Sequence, residues 1–165
     1  MTLVLPDPEA LCADLVRQLQ PRVTADTALV GIHTGGVWLA ERLHAALGIA
    51  LPLGLLDISF YRDDFDKTGL HPQIKPSQIP FEVGGRHIVL VDDVLYTGRT
   101  VRGAMNELFD YGRPASISLA VLIDRGGREL PVAAEYVGAR LELPPGRMLV
   151  LDRDENGKLR LKLDA

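Results

Sequence analysis

At 165 residues the chain is sized for one domain that buries about 70% of its unfolded surface without disulfides or a structural metal. Its formal charge of −4, from 18 basic and 22 acidic residues, includes no basic arm, which argues against a simple electrostatic grip on nucleic acid. Cys12 is the single cysteine, so an internal disulfide is excluded. No apolar run approaches the ~18 residues of a membrane span, and Asp7, Glu9 and Asp14 stand where a signal peptide would be basic, so a cytoplasmic protein with no membrane partner is expected.

The chain opens with Asp7-Pro8-Glu9, an N-cap candidate followed by proline at the first helical position. Leu11, Leu15 and Leu19 then recur at helical spacing and Pro21 stops the pattern, which predicts one amphipathic helix. Residues 28–32 read as a short buried strand. The loop His33-Thr34-Gly35-Gly36 follows, then a second helix over 37–47 with Gly48 as its C′ residue. A further strand is expected within residues 51–61, in spite of Pro52 and Gly54 near its start. From Arg62 to Gly85 there is no periodic pattern, and Pro72, Pro76 and Pro80 punctuate the stretch. Loops of that length in compact domains are usually functional or mobile.

His87 to Val91 begin an apolar run rich in β-branched residues, suited to a strand buried on both faces of a parallel sheet. Asp92 and Asp93 are expected to end that strand. A short loop with Thr97, Gly98 and Thr100 leads into a helix over 99–111, closed by Gly112 and Pro114. A helix N-terminus offers unpaired donors and the positive end of the helix dipole, so its expected guest is an anion such as a phosphate. Carboxylates would repel a phosphate that they touched. Asp92 and Asp93 should therefore face another part of the same ligand, such as the hydroxyls of a sugar. Alone, two carboxylates at a strand end serve equally well as surface charge or helix caps; the adjoining Tyr96-Thr97-Gly98-Arg99-Thr100 is what gives them a ligand.

Residues 116–123 form another apolar strand, ending in Asp124-Arg125-Gly126-Gly127-Arg128. Strand, loop and helix thus alternate around a largely parallel sheet, whose ligands bind outside the carboxyl ends of the strands. Residues 148–151 and 158–163 flank Asn156-Gly157, a strong turn signal, and predict a terminal hairpin. There is no repeat and no linker that would divide the chain.

The stretch Asp92-Asp93-Val94-Leu95-Tyr96-Thr97-Gly98-Arg99-Thr100 strongly resembles the phosphoribosyl pyrophosphate motif of type I phosphoribosyltransferases. Together with Leu119-Ala120-Val121-Leu122-Ile123-Asp124-Arg125-Gly126 and Arg128-Glu129-Leu130-Pro131 it resembles, within that superfamily, the PyrR family. That family combines uracil phosphoribosyltransferase activity with regulation of pyrimidine genes through RNA in some bacteria. The likeness runs from about Leu11 to Gly138.

The resemblance implies an α/β type I phosphoribosyltransferase fold, one domain over residues 1–165. Its mostly parallel central sheet is flanked by helices, with a small hood and a mobile loop. The resemblance places Asp92 and Asp93 on ribose hydroxyls. It makes Val94, Leu95, Tyr96, Thr97, Gly98, Arg99 and Thr100 a substrate loop, with the amides from Leu95 onward and the Thr97 and Thr100 hydroxyls around a 5′-phosphate. Thr34 and Gly35 become part of a pyrophosphate loop, and Asp124 and Arg125 part of the base and pyrophosphate pocket. Arg62, on a mobile catalytic loop, would neutralise the departing pyrophosphate, for which its fork of donors is suited. Mg²⁺ is implied, held through the substrate rather than by dedicated ligands, and so is a homodimer or larger homo-oligomer. The family pattern carries a basic residue at the position of His33 and arginine at that of Gly35; the chain departs from it at both.

Other chemistries fail on spacing. There is no P-loop or Gly-x-Gly-x-x-Gly pattern, Cys12 belongs to no metal-ligand cluster, and the four histidines are scattered. The resulting expectation is transfer of a phosphoribosyl group from phosphoribosyl pyrophosphate to uracil, giving UMP and pyrophosphate. Two alternatives stay open: an RNA-binding attenuation regulator with secondary catalysis, and a phosphoribosyltransferase for another base. Arg17, Arg22, Arg128, Arg140 and Arg147 are separated in sequence, so an RNA surface must be assembled by folding or oligomerisation. RNA binding is expected to be weak.

Overall fold

The computed structural model describes residues 3–58 and 77–164. Helix α1 (Pro8–Leu19) begins as its sequence predicts, with Asp7 Oδ1 accepting the Glu9 N–H at 3.0 Å and proline in the first turn. Pro21 does not simply stop the chain but sits in a 3₁₀ turn, Gln20–Arg22. Strand β1 (Thr27–Ile32) is buried along its whole length, as a central parallel strand covered on both faces must be. Helix α2 (Gly35–Leu47) starts two residues before its predicted position and ends at Gly48 in the left-handed conformation, φ 61°. Strand β2 (Gly54–Leu56) is shorter than expected within the described residues. Then come β3 (His87–Leu95), α3 (Arg99–Phe109), β4 (Ser116–Asp124), β5 (Tyr136–Arg140), and the hairpin of β6 (Met148–Arg153) and β7 (Leu159–Asp164).

Five strands form one parallel sheet in the order β2-β1-β3-β4-β5. Its apolar residues alternate faces with the period of two that a strand imposes. Leu29, Val89, Val91, Ala120 and Leu122 face α1, α2 and the hairpin through Leu15, Leu39, Leu43, Leu149 and Leu159. Val30, Ile32, Ile88, Leu90 and Val121 face α3 through Val101, Ala104 and Leu108. Helix α2 lies directly on β1: a Cβ on Gly31 would stand 2.9 Å from both Ala40 Cβ and Val37 Cα.

The hairpin is held on this body by Glu9. Its carboxylate accepts both terminal nitrogens of Arg42 on α2 and the Leu159 N–H of β7, the last at 2.9 Å. Arg42 holds the Glu9 carboxyl below the ordinary carboxylate range against the opposing effect of burial, with help from the Leu159 amide.

One expectation needs correcting. β3 does not stop at the acidic pair, because β4 runs beside it for its whole length. Asp92 pairs with Val121, Val94 with Ile123 and Leu95 with Asp124, and Leu95 is buried again. β5 is not among the expected elements. Among the described residues no helix is long and apolar enough to cross a membrane.

Candidate active site

At the carboxyl ends of the central strands lies a cleft of about 110 Å³. The end of β1 contributes Ile32 and His33, β3 contributes Asp92, Asp93 and Val94, and the following turn contributes Tyr96 and Thr100. Arg125, from the loop after β4, closes one side together with Met148 of β6, and Leu149 of β6 also lines the cleft. The hairpin is therefore part of the site, as a hood would be.

The start of α2 packs directly on the acidic pair. After a cis peptide between His33 and Thr34, the His33 N–H donates to the Leu56 carbonyl at 2.9 Å, and Thr34 leads into the buried Gly35 and Gly36. A Cβ on Gly35 would meet Asp93 Oδ2 at 2.3 Å, and one on Gly36 would meet the Val91 carbonyl oxygen at 2.5 Å. Backbone without side chains is what lets the two segments approach. Thr34, the N-cap of α2, makes no side-chain capping bond, so the first amides of α2 are left to other partners.

Asp92 is buried and Asp93 half-buried. Asp92 Oδ1 accepts the Asp93 N–H and Asp93 Oδ1 accepts the Val94 N–H, each at 2.8 Å. These bonds fix the rotamers of the two side chains.

The turn into α3 is held from beneath. Thr97 is buried, and its hydroxyl accepts the Arg99 N–H at 3.2 Å. Gly98 precedes the helix at φ 95°, a conformation that favours glycine. The Thr97 carbonyl accepts the N–H groups of Glu129 and Leu130 at 2.9 and 3.1 Å. The Arg99 side chain turns outward to an exposed ion pair with Glu129. Leu95 lies in the sheet ladder with its side chain in the core, and its carbonyl accepts the Arg125 N–H at 3.1 Å.

Beside this turn the Arg125 guanidinium lies 3.9 Å from the centre of the Tyr96 ring, close enough for cation–π attraction. Its Nη1 is 3.8 Å from Met148 Sδ. Burial by itself would raise the Asp124 carboxyl. The Arg128 guanidinium at 2.6 Å, the Gly126 N–H at 3.0 Å and the charge of Arg140 together hold it below the ordinary range.

The predicted residues within the described chain thus gather on one edge, save that Arg99 points away and Leu95 offers only backbone. Arg62 lies outside the described residues. Ile32, Met148, Leu149 and Arg128 are the residues that sequence reasoning leaves unassigned to the site. Docking of a hairpin over a cleft leaves no local signal, whereas Arg128 stands four residues after Asp124 across a Gly-Gly turn, a spacing that invites an ion pair. A larger cleft of about 830 Å³ opens elsewhere, between α2 and the hairpin beside Trp38 and Arg42, and holds none of the predicted site residues.

Among the described residues no three acidic, histidine or cysteine side chains cluster as a dedicated metal cage. Two adjacent carboxylates are nevertheless a donor set that fits Mg²⁺, which takes one or two carboxylates and completes its shell with substrate oxygens and water.

A five-stranded parallel sheet with helices on both faces, a Gly-Gly helix start after β1, and an acidic pair near the end of β3 followed by a Thr-Gly turn define the type I phosphoribosyltransferase class. The family described as phosphoribosyl transferase domain matches residues 6–142. The Bifunctional protein PyrR of Nitrosococcus oceani is 55% identical over 149 residues, spanning 87% of this chain and 84% of the relative. The protein of the same name from Pseudomonas syringae pv. syringae is 52% identical over 162 residues, spanning 96% and 95%. Among solved structures, a hypoxanthine phosphoribosyltransferase from Staphylococcus aureus has a TM-score of 0.67 at 24% identity, over 91% of this chain and 82% of that one. A hypoxanthine-guanine phosphoribosyltransferase from Bacillus anthracis gives 0.67 at 19%, over 89% and 86%. At those identities the two structures share the fold and nothing finer. The chain belongs to the PyrR family of phosphoribosyltransferases.

Proposed function

We propose that the protein is a uracil phosphoribosyltransferase, converting uracil and phosphoribosyl pyrophosphate to UMP and pyrophosphate. The observation that carries this reading is the carboxylate pair Asp92-Asp93 lying between two helix starts, Thr34-Gly35-Gly36 and Thr97-Gly98-Arg99-Thr100. Phosphoribosyl pyrophosphate has three polar parts, a 5′-phosphate, a ribose diol and a pyrophosphate. The site offers a matching surface for each. In this reading the amides and hydroxyls of the turn from Leu95 to Thr100 hold the 5′-phosphate, the carboxylates hold the diol, and the backbone of Thr34 and Gly35 faces the leaving group.

A uracil ring nitrogen attacks the ribose carbon while the bond to pyrophosphate breaks, its electron pair leaving with the pyrophosphate and the ring N–H giving up its proton. The transition state has oxocarbenium character, so most of the work is positioning and charge stabilisation. In this reading Asp92 and Asp93 orient the ribose beside the turn, and Arg125 and Met148 close the base side against water. Mg²⁺, held by substrate oxygens with Asp92 or Asp93, would neutralise charge on the leaving group. Arg62 would do the same. No side chain is required as a covalent nucleophile.

Product analysis with phosphoribosyl pyrophosphate, Mg²⁺ and a panel of free bases tests the reading. UMP formed from uracil in preference to purine nucleotides supports it. Preferential use of hypoxanthine or guanine would replace it with a phosphoribosyltransferase for another base. A second reading, regulation of pyrimidine genes through RNA, is favoured by the word bifunctional in the names of the relatives. Assembly into a homodimer or larger oligomer in the cytoplasm accompanies both readings.

A further inference from the structure

Arg128 commits all three guanidinium nitrogens to other segments of the chain. Nη1 donates to the Tyr96 carbonyl at 2.9 Å, Nε to the Val132 carbonyl at 2.9 Å, and Nη2 to Asp124 Oδ2 at 2.6 Å. Tyr96 opens the turn into α3, whereas Asp124 closes β4 and is followed at once by Arg125. One planar cation therefore joins the phosphate side of the cleft to the base side. The neighbouring bonds run the same way: Glu129 and Leu130 N–H groups hold the Thr97 carbonyl, and Gly98 approaches Val132 so closely that a Cβ would lie 3.3 Å from its side chain.

Tyr96 is thereby held twice, by its carbonyl through Arg128 and by its ring through Arg125. Arg128 itself does not line the central cleft; it borders a neighbouring pocket with Asp124, Arg125 and Gly126, and with each guanidinium nitrogen bonded within the chain its geometry is that of a brace. A rigid fork with donors in fixed directions meets three acceptors at once; a lysine ammonium is a point charge on a flexible stem and does not.

We infer that Arg128 is a positioning residue that, by bridging the Tyr96 carbonyl and the Asp124 carboxylate, fixes the phosphate-side turn and the base-side pair Asp124 and Arg125 in one mutual geometry. This rests on the proposed reaction. Its consequence is that loss of one side chain outside the cleft disturbs the binding of two different substrates together.

The test is steady-state kinetics and thermal melting of the wild type, Arg128→Gln, Arg128→Lys, Asp124→Asn and the Asp124→Asn, Arg128→Gln double variant. KM for phosphoribosyl pyrophosphate and KM for uracil should both rise about tenfold in Arg128→Gln, with lysine failing to restore either. The double variant should lose less than the product of the two single losses, because both act through one contact. A fall in kcat with lowered Tm and both KM values unchanged would mean a merely structural ion pair and overturn the inference. So would a rise in one KM alone, full rescue by lysine, or multiplicative losses in the double variant. Should Arg128→Gln fail to fold, Asp124→Asn keeps the two backbone bonds of Arg128, and its two KM values decide. Failure of the proposed function shows in the wild type, as preference for another base. The same variants are then read with that base, so the two failures stay distinct.

Discussion

Gly35 and Asp93 share one space: a Cβ on residue 35 would stand 2.3 Å from Asp93 Oδ2 and 2.8 Å from its Cγ. The start of α2 thereby limits where the carboxylate at the end of β3 sits. Gly36 is constrained differently, because the atom that its Cβ would meet at 2.5 Å is the backbone oxygen of Val91. A side-chain carboxylate turns aside, whereas a carbonyl in a central strand does not. Gly35→Ala should therefore fold with a Tm near wild type while kcat/KM falls about tenfold as Asp93 is displaced. Gly36→Ala should cost about 1–3 kcal/mol of stability through overpacking. Melting curves beside initial rates separate the two; equal losses of stability would contradict the distinction.

The acidic pair itself gives the second prediction. Asp92 and Asp93 accept backbone N–H bonds that an amide oxygen also accepts, so Asp93→Asn should stay folded. Replacing the charge weakens charge-assisted bonds to ribose hydroxyls by about 1.5–3 kcal/mol, roughly ten- to a hundredfold in kcat/KM. Wild-type kinetics in a folded Asp92→Asn, Asp93→Asn double variant would remove the ribose assignment.

The sequence signals that succeeded are local ones. Asp7-Pro8, Gly48 and Asn156-Gly157 punctuate α1, α2 and the hairpin where the structure has them, because capping and turn chemistry are decided within a few residues. Those that failed depend on partners distant in the chain. Two adjacent carboxylates look like the end of a strand, yet β3 continues through them because β4 supplies the ladder as far as Leu95 and Asp124. β5 carries a Gly in its middle, and Gly138 is there because a Cβ would meet the Leu122 carbonyl at 2.5 Å; the close approach that requires it also hides the strand from a propensity reading. The cleft was legible as an acidic pair beside a Thr-Gly turn. Its hood, with Met148 and Leu149, exists only after the hairpin docks through Leu159 and Glu9.

That docking contact carries a pH dependence. Arg42 holds the Glu9 carboxyl below its ordinary value of 4.5, burial opposes this, and the Leu159 amide adds to it. A carboxylate lowered by folding stabilises the fold fully above its unfolded pKa, and that contribution is lost as pH falls through the lower folded value. Arg42 is 40% and Glu9 28% exposed, so solvent screening limits the contribution to about 1 kcal/mol. Glu9→Gln should lower Tm at pH 7 by about 2–4 °C, with the gap to wild type closing toward pH 3. A constant gap across that range would show that the charge of Glu9 adds nothing to the contact.

Regulation through RNA sets the family against the charge. Relatives at 52–55% identity carry the name Bifunctional protein PyrR, yet this chain has a net charge of −4 and no contiguous basic segment. Of the arginines that could contribute to an RNA surface, Arg128 is spent on Asp124 and two carbonyls, and Arg17 is paired with Asp14. Arg147 donates through Nε to the Asp164 carbonyl, leaving its terminal nitrogens for other contacts. Symmetric oligomerisation could gather the remaining charges on one face, but carboxylates interleave with them, and phosphate contacts weaken steeply with salt. Catalysis should therefore be readily detected, while specific RNA binding is weak or absent at physiological ionic strength. A mobility-shift titration with the organism's own pyrimidine-operon leader, with and without UMP, decides the matter. Nanomolar, sequence-specific and UMP-enhanced binding at about 150 mM salt would show that the folded oligomer presents a basic face that the charge balance of the single chain conceals.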